Sequence, residues 1–188
     1  DASAFDADTT GVTIDGDALT STEALAFSAT NLTRSITILG GAGNDTIIDG
    51  AGDDSIITNE GNDNITLSGA GVNTVSSGSG TDSIILGAGT DLVDAGSQND
   101  TVVGGANVTV ADTLDGGADI DLLTISDDND TDDLDNVTRF ETIELAAGQS
   151  YQYVIGNNSL FDQDTVAVTV DAQALGAGDA INFDASNL

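Results

Sequence analysis

The chain has 188 residues, and its 33 acidic side chains face only two basic ones, Arg34 and Arg139, with no histidine, so the formal net charge is -31 at pH 7. That balance excludes nucleic acid and anionic membrane surfaces as partners, since phosphate recognition gathers Lys and Arg on one face, and it opposes compaction unless cations from outside neutralise it. Cysteine is absent, which removes disulfides and thiolate metal sites and leaves oxygen as the plentiful ligand.

No stretch approaches the roughly 18 apolar residues that span a bilayer, and the first residues lack a basic start followed by an apolar signal core. The chain is therefore expected to be an internal, soluble segment of a longer protein, without membrane insertion. Aromatics make up only 4% of it, so the core must be built from Ile, Val, Leu and Ala in thin layers that bury little and need bracing.

Residues 1–39 read as a strand-rich segment, with alternation and β-branched content placing strands at 12–14 and 35–39. From residue 40 a nine-residue repeat takes over. Residues 40–48 read GGAGNDTII, which fits G-G-x-G-x-D-x-U-x (U, a large aliphatic residue) at every specified place, and residues 49–57 follow as DGAGDDSII. Further copies run to residue 103, and two looser ones reach residue 124.

Each part of the pattern has a physical task. The turn glycines, among them Gly41, Gly43, Gly50, Gly52, Gly78, Gly80, Gly87 and Gly89, let the backbone wrap closely around an ion. The sixth place supplies a hard anionic oxygen suited to calcium: Asp45, Asp54, Asp63, Asp82, Asp91, Asp100, Asp112 and Asp121, with the amide of Asn73 in one copy. The last three residues form a brief strand whose middle residue points inward, and Ile47, Ile56, Ile65, Val75, Ile84, Val93, Val102, Leu114 and Leu123 are all aliphatic.

Departures from the pattern are informative as well. An extra residue near Leu67 and three more around 108–110 stretch two coils, Gln98 replaces a turn glycine, and Ile120 stands where polar residues are commoner. Irregular turns are expected at the two insertions, and weaker or empty ion sites beside Asn73, Gln98 and Ile120.

Residues 125–156 are expected to cap or continue the stack, with strands at 140–145 and 151–155 and another at 165–170 beyond it. The acidic run at 127–133 lacks the glycine and the terminal acid of a helix-loop-helix calcium loop and reads as a solvated loop. The paired Asp6 and Asp8, echoed by Asp162 and Asp164, read as turn residues. A longer repeat overlies all of this: residues 1–32 align with 157–188 at an offset of 156, identical at 15 of 32 positions. The chain thus reads as one 156-residue tandem module and the opening of the next.

Catalysis finds no foothold, because without His, Cys or Lys no usual base activates a Ser or Thr, and the acids are spread too evenly to single out an acid-base pair. The chain is expected not to be an enzyme.

The repeats resemble the hemolysin-type calcium-binding repeats of the RTX family. The resemblance implies an all-β fold, a right-handed parallel β-roll or β-solenoid with two nonapeptides per coil, binding several Ca2+ ions between turns stacked on each edge. One edge would then carry Asp45, Asp63, Asp82, Asp100 and Asp121, and the other Asp54, Asn73, Asp91 and Asp112. It also implies an extracellular protein exported by type I secretion. The segment VTRFETIEL at 137–145 is similar to a strand that closes such rolls in bacterial surface-layer and adhesin proteins. A self-associating module of a surface layer or surface filament is the first expectation, and a spacer region of a giant biofilm adhesin the second. The C-terminal roll of a secreted protease or lipase is a third, weakened by the 156-residue repetition.

Overall fold

The computed structural model describes residues 11–126, 134–146, 151–154, 169–174, 176 and 181–184. The short gaps between Gly-Asp turns leave room only for brief strands, and the chain lays these alternately into two sheets. The first holds β1 (Val12–Asp15), β3 (Ile36–Gly41), β5 (Ser55–Asn59), β7 (Val72–Ser76), β9 (Thr90–Asp94), β11 (Thr113–Asp115) and β13 (Val137–Thr138), in that order. The second runs β2 (Ala26–Ser28), β4 (Thr46–Ile48), β6 (Asn64–Thr66), β8 (Ser83–Ile85), β10 (Thr101–Gly105), β12 (Leu122–Ile125), β14 (Thr142–Leu145) and β16 (Thr169–Asp171). A separate pair joins β15 (Tyr151–Val154) to β17 (Ile181–Asp184). All pairings are parallel and join each strand to the next-but-one, which makes a β-solenoid, and no helix occurs among the described residues.

Register follows the aliphatic pattern. In the first sheet Ile14, Ile38, Ile56, Val75, Val93, Leu114 and Val137 stand opposite one another in succession. The second sheet stacks Phe27, Ile47, Ile65, Ile84, Val102, Leu123, Ile143 and Val170 in the same way. A one-residue slip would turn a whole strand's aliphatic residue outward, so the core itself fixes the pairing. The nine inward residues named from the repeat are all at most 1% exposed. Burying one such side chain contributes about 1.5–3 kcal/mol, so the thin core gains from the number of its layers.

The coils continue past both ends of the repeat region. β1 and β2 precede it in the same two sheets, and β13, β14 and β16 follow it. Strand placement agrees with the sequence at 12–15, 36–41 and 151–154, while the strand expected over 140–145 begins only at Thr142, two residues after the fully buried Phe140. Three first-sheet strands, β5, β7 and β9, have five residues rather than three. Where the extra residues fall at 108–110, the β10–β12 pairing shifts register between Val103 and Gly105.

The 156-residue offset carries β1 and β2 onto the positions of β16 and β17, so the same segments form strands in both copies. Their pairing differs, since β1 lies in the first sheet while β16 joins the second. The acidic run at 127–133, the Asp6/Asp8 and Asp162/Asp164 pairs, and most of the strand expected over 165–170 lie outside the described residues.

Candidate metal centre

Two rows of sixth-position side chains line the edges where the chain passes from one sheet to the other. All nine are buried, at 1–3% exposure, except Asp121 at 0%. On the first edge each carboxylate accepts the backbone N–H of its counterpart one coil earlier. Asp45 N–H donates to Asp63 Oδ1 at 2.7 Å, Asp63 N–H to Asp82 Oδ1 at 2.8 Å, Asp82 N–H to Asp100 Oδ1 at 2.8 Å and Asp100 N–H to Asp121 Oδ1 at 2.7 Å. Glu141 completes the row by accepting the Asp121 N–H through Oε2 at 2.8 Å.

The second edge repeats the arrangement with a break. Ile36 N–H donates to Asp54 Oδ1 at 2.9 Å, Asp54 N–H to Asn73 Oδ1 at 3.0 Å, and Asp91 N–H to Asp112 Oδ1 at 2.7 Å. At the break the Asn73 side-chain amide donates to Asp91 Oδ1 at 3.0 Å. The hydrogen bonds thus bring together, edge by edge, the side chains that the family resemblance places on each edge.

These bonds use one oxygen of each carboxylate. The second oxygen of Asp45 accepts from Gly41 N–H at 3.0 Å, that of Asp54 from Gly50 N–H at 3.2 Å, and that of Asp112 from Thr109 N–H at 2.8 Å. In Asp63, Asp82, Asp91, Asp100 and Asp121 the Oδ2 atom is buried and has no hydrogen-bond partner. The Thr58 and Ser77 hydroxyls lie beside Asp63 and Asp82. They donate instead to the Ser77 and Ala95 carbonyls, at 3.0 and 2.6 Å, so those Oδ2 atoms stay unsatisfied.

Burial without a positive partner is costly for a carboxylate, and the acidities reflect it. Desolvation pushes Asp63 and Asp91 up to about 6, and Asp100 and Asp121 up to about 7, with neighbouring carboxylates adding to the rise. Asp54 and Asp82 are raised for the same first reason. Five inward oxygens that no donor satisfies, on carboxyls that resist ionising alone, fit a hard cation with oxygen ligands. Calcium bound there would supply the missing positive charge; the chain's own part is to hold the carboxylates in register through their Oδ1 bonds. Among the described residues no three acidic side chains gather as a ready-made cluster, so backbone or further oxygens must complete any coordination shell.

The turn glycines admit this close stacking. Gly80 has φ +141°, and a Cβ there would overlap the Gly61 carbonyl oxygen of the preceding coil. A Cβ at Gly43, Gly52, Gly78 or Gly89 would likewise strike backbone one coil earlier, whereas Gly87 is less confined. Gln98 and Asp119, which take the corresponding fourth place in later turns, keep the left-handed backbone at φ +76° and +85°, so the turn shape outlasts the loss of glycine.

Three participants lacked a repeat signature. Asp49, at the first place of its nonapeptide, is fully buried, its Oδ1 accepts the Ser68 N–H and its Oδ2 has no partner; desolvation raises it to about 7. Glu141 extends the first row without any glycine before it, its only signal being that Glu-Thr-Ile at 141–143 mirrors Asp-Thr-Ile at 45–47. Arg139 forms an ion pair with Asp115 beside that row.

No curated protein and no solved structure matches the chain. The family model of the RTX calcium-binding nonapeptide repeat matches residues 37–66 and 67–106, in 4 copies. The stacked turns and their buried aspartates agree with this match: residues 37–106 carry RTX calcium-binding nonapeptide repeats.

Proposed function

We propose that this chain is a calcium-folded structural module of a large secreted bacterial cell-surface protein, of the surface-layer or surface-filament kind, and that its sixth-position aspartates are the calcium ligands. The observation that carries the reading is the set of buried Oδ2 atoms without a donor, held in rows by Oδ1 bonds from coil to coil. Such rows couple ion binding to folding along the stack, because each coil positions the ligand of its neighbour. A repeated stack of this kind acts by length and nearest-neighbour contact, which supports a scaffold role.

Self-association completes the proposal. Among the described residues β1 and β13 end the first sheet and β2 and β16 the second, and the 156-residue repetition offers each module a matching neighbour. Calcium then acts twice, by folding the coils and by bridging acidic faces that otherwise repel. Export by type I secretion follows from the same family reading. Sedimentation and electron microscopy of the chain across a calcium series test assembly. Ordered oligomers, filaments or sheets at millimolar calcium, not reproduced by monovalent salt of equal ionic strength, are the expected result. A chain that folds with calcium yet stays monomeric at high concentration would favour the spacer region of a giant RTX adhesin instead.

A further inference from the structure

The nonapeptide pattern leaves its fifth place open, next to the buried sixth-place side chain. On the first edge this place is held by Asn44, Asn62, Thr81, Asn99 and Ile120, all of them exposed. An exposed residue in a turn has no packing reason to be an amide, yet the amides are engaged. Asn62 N–H donates to Asn44 Oδ1 at 2.9 Å, Thr81 N–H to Asn62 Oδ1 at 2.9 Å and Ile120 N–H to Asn99 Oδ1 at 3.3 Å. On the second edge Val72 N–H donates to Asp53 Oδ1 at 2.9 Å in the same manner. The earlier coil supplies a side-chain oxygen and the later coil only its backbone N–H, so Ile120 and Val72 close the bond without a polar side chain.

These bonds run in the opposite sense to the carboxylate rows. At the sixth place the N–H of the earlier coil donates to the side chain of the later one, as from Asp45 to Asp63 and from Asp63 to Asp82. Adjacent residues therefore fasten the same two turns in both directions, and sliding one turn along the next stretches one set or the other. The outer amides are neutral, so their bonds need no cation to offset a buried charge.

One junction of the first edge lacks the outer bond. Thr81 carries no amide oxygen, and among the described residues the Asn99 N–H one coil later finds no acceptor. There the turns are joined by Asp82 N–H to Asp100 Oδ1 and by backbone bonds such as Gly80 N–H to Ser97 O at 3.1 Å.

We propose that Asn44, Asn62 and Asn99, with Asp53 on the other edge, are positioning residues of the ion turns: each locks its turn to the next from the solvent side, and Thr81 marks a junction where the lock is absent. The part played by calcium rests on the reading above, whereas the lock itself does not.

The test is single-amide hydrogen exchange by NMR, with urea unfolding, on the folded 188-residue chain and three variants in calcium. Asn62→Ala removes an acceptor, Asn62→Asp keeps one, as Asp53 does, and Thr81→Asn supplies the missing one. In Asn62→Ala the Thr81 N–H is expected to exchange about tenfold faster relative to the Thr101 N–H, which stays bonded to Asp82 O. The folding equilibrium constant is expected to fall about two- to tenfold, the worth of one hydrogen bond, and the calcium midpoint of folding to rise. Asn62→Asp is expected to keep the Thr81 N–H protected. Thr81→Asn is expected to slow exchange of the Asn99 N–H about tenfold and to lower the calcium midpoint. Thr81 exchange that rises only in step with Thr101, equal exchange in Asn62→Ala and Asn62→Asp, or no protection gained at Asn99 would each overturn the proposal. Calcium uptake by the parent chain is read separately in the same titration: its absence would contradict the calcium reading, while exchange at Thr81 and Asn99 still decides the lock.

Discussion

Chelating calcium at neutral pH is expected to unfold the roll, and mild acid in the continued presence of chelator is expected to restore part of it. In the cation-free fold Asp49, Asp100 and Asp121 are raised from 3.8 to about 7, and Asp63 and Asp91 to about 6, each first by desolvation. At about 1.4 kcal/mol per pH unit, a carboxyl raised to about 7 disfavours the ionised fold by roughly 4 kcal/mol. Neighbouring carboxyls titrate as a set, so the five do not simply add, but together they oppose folding on the order of 10 kcal/mol. That is comparable with the whole stability of an ordinary domain, about 5–15 kcal/mol. The sign follows from proton linkage: the folded chain binds these protons more tightly than the unfolded one, so stability is fully present below the unfolded value near 4 and is lost as pH rises through 6 to 7. Far-UV circular dichroism of a dilute sample in excess chelator, stepped from pH 8 to pH 5, checks it. The β signal is expected to grow as pH falls through that window, with calcium abolishing the dependence. A spectrum in chelator that is fully folded at pH 8, or that loses structure on going to pH 5, would refute the reasoning.

Two substitutions probe the same account. Asp82→Ala leaves the buried Asp63 N–H without its acceptor, so it is expected to cost about 1–3 kcal/mol beyond any lost ion and to raise the calcium midpoint of folding well above that of Asp133→Ala in the acidic run. Equal midpoints would mean that bulk charge governs binding. Gly80→Ala forces a side chain onto the Gly61 carbonyl at a φ that L residues rarely adopt, and is expected to destabilise by about 3 kcal/mol or more; Gly11→Ala, which meets open space, is expected to change the calcium-loaded melting temperature little.

The repeat made much of this fold legible because its two signals have independent physical causes. Ile56 and Ile65 are inward because alternation along a three-residue strand leaves one face for the core, and Asp54 and Asp63 alternate edges because one coil consumes two nonapeptides. The first could be read from spacing, and the second from the family resemblance that the spacing carries. What spacing could not reveal depends on contacts between coils. Asp49 looks like an ordinary polar substitution at a variable place, and only its burial beneath the lengthened coil sets it apart. Glu141 stands 20 residues after Asp121, outside the 18-residue period, and its role follows from the pairing of Leu122 with Thr142. At Gln98, where a turn glycine is replaced, the backbone keeps the left-handed conformation, with the Gln98 N–H held by Asp119 Oδ2 at 3.2 Å. Strand β2 escaped notice because its three residues, Ala26–Ser28, carry one inward aromatic and no flanking repeat.

The most direct measurement is anomalous diffraction from crystals grown in calcium, which locates each ion without assumption about its ligands. The account predicts ions in rows along the two edges, beside the Oδ2 atoms of Asp63, Asp82, Asp100 and Asp121 on one and of Asp91 on the other. Ions confined to exposed acidic surface, with those Oδ2 atoms unoccupied in a well-folded roll, would contradict it.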